Sequence, residues 1–138
     1  MYRKYYNFTP PAAAAQIRRD FGEFQPNEIN RLLNWLNIRV FNYSMVETFL
    51  ELNNLTEFAE KTLGFSCFVG EIPVIFFDLA LETNQRRFVV CHEIGHIVLG
   101  HIQPVYQPFN QVVQPVVFPK RLPMEAAANW FAAALLFG

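Results

Sequence analysis

From Arg87 to Gly100 the chain reads R-F-V-V-C-H-E-I-G-H-I-V-L-G. Phe88, Val89, Val90, Cys91, Ile94, Ile97, Val98 and Leu99 spread around most of a helix, which predicts a buried element rather than one with a single apolar stripe. Three polar residues sit among them: His92, Glu93 and His96. Burying such groups without partners costs about 1–3 kcal/mol each, so the fold must give them something to bind. Four residues advance about 400° on an α-helix, which puts His92 and His96 one turn apart on one face. Two imidazoles so placed can hold one Zn²⁺ at about 2.0–2.1 Å each. Glu93 follows the first of them directly, so it projects beside such a metal, where it can take a proton from a water. The plainer alternative is a pair of satisfied core histidines.

At 138 residues the chain is long enough for one core and too short for two, which predicts a single domain over 1–138. Apolar residues make up 52% and charged residues 17%, and fifteen are Phe, so the core should be dense. No apolar run approaches a membrane span, because the His-Glu-His set interrupts the longest one. The start, Met1 to Tyr6, has basic residues but no apolar core, so it does not read as a signal peptide. Cys67 and Cys91 are too few for a disulfide framework. The cytoplasm is the expected compartment. A net charge of −1 makes no case for direct nucleic-acid binding.

Local signals place the elements. Thr9-Pro10 caps a helix that continues from Ala12 to Phe21, and Pro26 opens a second one with Ile29, Leu32, Leu33 and Leu36 at helical spacing. Ile38 to Phe41 is a short strand. Ser44 and Glu47 fit a capping box for a helix to about Leu52, and Leu55 to Leu63 forms another, ended by Gly64. Phe65–Val69 and Ile72–Phe77 flank Gly70-Glu71 as a hairpin, with Pro73 favouring an edge position or the strand's first residues. The H-E-x-x-H helix runs from about Glu82 to Gly100. Prolines at 104, 108, 115, 119 and 123 rule out a long helix next, leaving Val112-Val113 and Val116 to Phe118 as weak strand candidates. A final helix spans Pro123 to Leu136.

Catalytic zinc takes three protein ligands, so one is still to be found. His101 lies five residues after His96, which on a continuing helix is the face opposite His92. Glu125 opens the last helix, is the only carboxylate side chain after Glu93, and shares a face with Asn129. Ala128 and Ala132 would let that helix approach closely. On these grounds Glu125 is the better candidate, with a merely dipole-compatible acid as the alternative.

Three segments together, Pro73-Val74-Ile75-Phe76-Phe77, Arg87-Phe88 through His96, and Glu125 with Ala128-Asn129-Trp130-Phe131-Ala132-Ala133-Ala134-Leu135-Leu136, resemble the ImmA/IrrE family of metallopeptidases. That family's pattern is a strand, R-F-x-x-x-H-E-x-G-H, and a later E-x-x-A-N-x-F-A-A-x-L-L helix; the match covers roughly residues 65–138. The resemblance implies zinc held by His92, His96 and Glu125, Glu93 as general base, and a prokaryotic or mobile-element setting. It also implies cleavage of a helix-turn-helix repressor, an antirepressor activity. Two features depart from the family: Ala127 stands where a second acid is common, and the sequence stops at Phe137-Gly138 where members usually continue, as in a minimal or truncated enzyme.

The expectation is therefore a small α+β zincin-like domain: helices around a short antiparallel sheet, with the metal between the H-E-x-x-H helix and the last helix. The protein is expected to be a zinc metallopeptidase acting on a protein substrate, with residues 72–77 binding substrate by strand addition. His101, Tyr106 and Arg121 are candidates for stabilising the oxyanion. Two competing readings are a non-proteolytic zinc module that grips a repressor, and a structural zinc site closed by a fourth ligand.

Overall fold

The computed structural model describes residues 2–104 and 121–138. Among them are six α-helices and a three-stranded sheet, a mixed α+β architecture. A 3-10 turn at Arg3–Tyr5 precedes α1 (Pro10–Phe21), whose first N–H groups are dealt with locally. Thr9 Oγ1 accepts from the Ala12 N–H at 3.4 Å, and proline fills the helix start, where an N–H has no helical partner anyway. Pro26 opens a 3-10 turn, Pro26–Glu28, and α2 follows as Ile29–Trp35. After β1 (Arg39–Asn42) the cap is Asn42 rather than Ser44: its Oδ1 takes the Met45 N–H at 3.1 Å and the Ser44 hydroxyl at 2.7 Å. That bond favours a 3-10 turn, Tyr43–Val46, before α3 (Glu47–Leu52).

The fourth helix is shorter than its apolar spacing suggests: α4 is Thr56–Glu60. Gly64 does not end it but begins β2 (Gly64–Val69). A Cβ at Gly64 would meet Val89 Cγ1 at 2.5 Å, so the missing side chain lets the strand lie against the helix behind it. β3 (Ile72–Phe77) follows through Gly70, which turns at φ +63°. Helix α5 spans Thr83–Val98 and α6 spans Leu122–Phe137. The strand candidates at Val112-Val113 and Val116 to Phe118 lie outside the described residues. No described helix is long and apolar enough to cross a membrane.

The sheet order is β1-β3-β2. β2 and β3 form the expected antiparallel hairpin, from Gly64 opposite Phe77 to Val69 opposite Ile72. β1, however, pairs with β3 in parallel, from Arg39 beside Val74 to Asn42 beside Phe77, so the sheet is mixed rather than antiparallel. The cause is the connection: α3 and α4 separate β1 from the hairpin, and β1 settles on the far side of it. This makes β3 the central strand and corrects its expected edge position. Pro73 is accommodated because it precedes the parallel ladder, which starts at Val74.

Alternation along the strands divides the core. Phe68 and Ile75 join the larger cluster, with α1, α2, α5 and α6 contributing Ile17, Leu32, Ile94, Phe131 and Leu135, and Leu36 just after α2. Phe65, Cys67, Val74 and Phe76 face the other way, onto Leu50 of α3 and Ala59 of α4. Ser66 shares the face of Phe68 and is therefore directed at α5, fully buried in an otherwise apolar strand.

Candidate metal centre

Helix α5 is exposed in its first turn and buried over most of the stretch from Val90 onward, where His96 is 0% exposed and Glu93 3%. Its partner is α6, and contact is close because Gly95 has no side chain. A Cβ there would stand 3.0 Å from Phe131 Cδ1 and 3.3 Å from the Ala128 Cα. Ala128 and Ala132 are themselves 0% exposed, as the small residues of α6 anticipate. This approach carries Glu125, in the first turn of α6, onto the open side of the histidine pair.

The four polar groups then converge. His92 Nε2 and His96 Nε2 are 3.0 Å apart. Glu125 spans them, Oε2 at 3.1 Å from His92 Nε2 and Oε1 at 2.9 Å from His96 Nε2. Glu93 stands slightly back: Oε2 is 3.9 Å from His92 Nε2, while Oε1 accepts the Ser66 hydroxyl at 2.7 Å. The donor atoms of His92, Glu93 and His96 all lie within 4.8 Å of one another, close enough to share a metal ion.

The far sides of the two rings decide what their near sides can do. His92 Nδ1 is 2.7 Å from Asn129 Oδ1, an atom that can only accept, so Nδ1 carries a proton and Nε2 is the nitrogen left to offer a lone pair to a metal. His96 Nδ1 is 2.8 Å from His101 Nδ1, which lets the same arrangement hold there. Lone pairs and a carboxylate facing one another at 2.9–3.1 Å suit a cation between them. Three donors on one tetrahedral zinc stand about 3.3–3.4 Å apart, so the residues present fit a metal with a small outward adjustment.

Of the residues singled out by sequence, His92, Glu93, His96 and Glu125 are brought together. His101 lies on the Nδ1 side of His96 and is not among the converging atoms. Arg121 is exposed at the N-cap of α6, and Tyr106 lies outside the described residues. Ser66 was not anticipated, although one hydroxyl inside the run Phe65 to Val69 is a visible anomaly. A cavity of about 840 Å³ opens beside the cluster, walled by Leu55, Phe58, Leu63, Phe65, Phe88 and Val89 and reaching His92, Glu93, Glu125 and Asn129.

No curated protein and no solved structure matches the chain. A family model does: the IrrE N-terminal-like domain of the M78 peptidases, over residues 53–137. The matched stretch contains the hairpin, α5 and α6, and with them every residue of the cluster. With more than half its length under that match, the chain belongs to the IrrE N-terminal-like, M78 peptidase family.

Proposed function

We propose that this protein is a zinc-dependent metallopeptidase of zincin-like fold, a single domain that cuts a helix-turn-helix transcriptional repressor. The observation that carries the reading is the convergence of His92 Nε2, His96 Nε2 and both Glu125 oxygens at 2.9–3.1 Å, with Glu93 alongside. His92, His96 and Glu125 are the proposed ligands. Zinc held there supplies a Lewis acid that polarises the scissile carbonyl and lowers the pKa of water toward about 7.

The chain's own residues do the rest. Glu93 takes the proton of the attacking water on Oε2 and delivers it to the leaving amine, while the Ser66 hydroxyl fixes the carboxylate through Oε1. Asn129 keeps the His92 lone pair aimed inward. The substrate chain has a place on β2 rather than β3. Among the described residues β2 is an edge strand, and its first residues line the cavity that leads to the cluster. An extended peptide can pair there while its apolar side chains fill the cavity.

A non-proteolytic module that only grips a repressor is the competing reading. It is disfavoured by Glu93, which is buried at the cluster and held by a dedicated hydroxyl that binding alone does not require. The test incubates the zinc-loaded protein with a repressor encoded beside its gene and looks for fragments by mass spectrometry. Wild type should cut at one site. Glu93→Gln should keep zinc and lose at least about 100-fold in rate, because an amide cannot take the proton. Near-wild-type cutting by this variant removes Glu93 from the chemistry; tight binding without cutting revives the competing reading.

A further inference from the structure

We propose that His101 is a positioning residue for His96: its Nδ1 accepts the His96 Nδ1–H and so holds the His96 Nε2 lone pair on the metal-binding cluster. The inference rests on reading His92, His96 and Glu125 as the metal site. Three features of the chain build the contact.

The first is the way α5 stops. Gly100 adopts φ +79°, its N–H bonds to the Ile97 carbonyl at 3.2 Å, and the His101 N–H bonds back to the His96 carbonyl at 2.9 Å. This pair of bonds around a left-handed residue reverses the chain at a helix C-terminus and satisfies its last carbonyls. Its effect here is specific. The residue that follows the glycine is returned to the turn where His96 begins, so a histidine five positions on meets His96 from outside the helix.

The second is that this reversal is reserved for glycine twice over. A left-handed φ disfavours most residues with a side chain, and a Cβ at Gly100 would lie 3.0 Å from the Tyr6 ring. The third is the contact itself. The two Nδ1 atoms are 2.8 Å apart, so one donates and the other accepts. A metal ligand must offer a lone pair at Nε2, which places the His96 proton on Nδ1 and makes His101 the acceptor. His96 is 0% exposed, so water cannot readily substitute for the lost acceptor. Asn129 does the same for His92 from α6, and the two ligands are thus aimed from two different elements.

The decisive variants are His101→Asn and His101→Leu in the full chain. Asparagine places its Oδ1 about where the imidazole Nδ1 lies and can accept the same proton, whereas leucine fills the space and cannot. Zinc affinity is read by chelator competition and the thermal midpoint is read without metal. His101→Leu should weaken zinc binding about 10–100-fold, the range for losing a group that orients a ligand, and His101→Asn should recover most of it. The two metal-free midpoints should agree, which a packing role would not produce. Equal zinc affinity of wild type and the leucine variant overturns the inference, as does an asparagine variant no better than leucine. Complete loss of zinc in both, matching His96→Ala, would make His101 a ligand and also overturn it. Failure of the wild type itself to bind zinc is a different result, and it removes the metal-site reading on which the inference stands.

Discussion

Glu125 is the group whose placement owes most to the rest of the chain. It is separated from His96 by the stretch of prolines, yet both its oxygens reach the histidine pair. As a ligand it would be lost outright in Glu125→Ala, which should weaken zinc binding more than about 100-fold, beyond what loss of an orienting neighbour costs. Chelator competition measures it, and unchanged affinity in this variant would take Glu125 out of the ligand set. The helix pair His92 and His96 was legible in sequence because four-residue spacing fixes a shared face whatever the tertiary structure. Glu125 was legible from its being the only carboxylate after Glu93, from the small residues of its helix and from the family resemblance. The contacts of Ser66 and His101 were not, since one depends on strand register and the other on a left-handed turn at a single glycine.

Between elements, the contact of α5 with α6 turns on Gly95. Alanine would gain about 1 kcal/mol in helix propensity, but its Cβ would press on the Ala128 backbone as well as on Phe131. Side-chain tips can rotate away and a helix backbone cannot, so α6 must shift at a cost of about 1–3 kcal/mol. Gly95→Ala should therefore lower the thermal midpoint and weaken zinc binding together, because Glu125 moves with α6. A higher midpoint with unchanged zinc affinity would show that the interface tolerates the methyl group. Sequence spacing located α1, α5, α6 and the hairpin well, each bounded by proline, glycine or a turn. It could not give the strand order. Four residues of β1 carry no register of their own, and their parallel pairing with β3 is decided by where two intervening helices leave them.

Across the molecule, the N-terminal turn is tied to α1 by a polar set around Asp20. Its carboxylate accepts from Lys4 at 3.0 Å, from Gln16 at 2.8 Å and from the Tyr5 hydroxyl at 3.0 Å. The hydrogen bond from Lys4 is the leading cause, followed by those from Gln16 and Tyr5, and together they hold the Asp20 pKa below its ordinary 3.8. A carboxylate with a lowered folded pKa contributes stability that is complete above about pH 4 and disappears as pH falls through the folded value. Asp20→Asn should accordingly lower the urea midpoint at pH 7 by a modest amount and have less effect near pH 3. An equal effect at both values would mean that the bonds matter as geometry and the charge does not. The abundance of phenylalanine announced a dense core, and the structure stacks Phe65 on Phe76, with centroids 4.9 Å apart, on the face of the sheet away from α5.

Helix α1 packs on α6, where Arg18 donates to the Leu135 carbonyl and Ala13, Ala14 and Ile17 are buried in the same cluster as Phe131 and Leu135. The stretch that identifies the family starts only at residue 53. The family match and the packed core therefore cover different lengths of chain. A piece beginning at residue 53 would keep every proposed ligand yet bare the side of α6 that α1 covers. Such a fragment should bind a hydrophobic dye and lack a cooperative thermal transition, whereas residues 1–138 should show one; a fragment that melts sharply would place the boundary at 53 after all. Family likeness marks out the stretch that carries the His-Glu-His cluster, and packing asks for the helices before it.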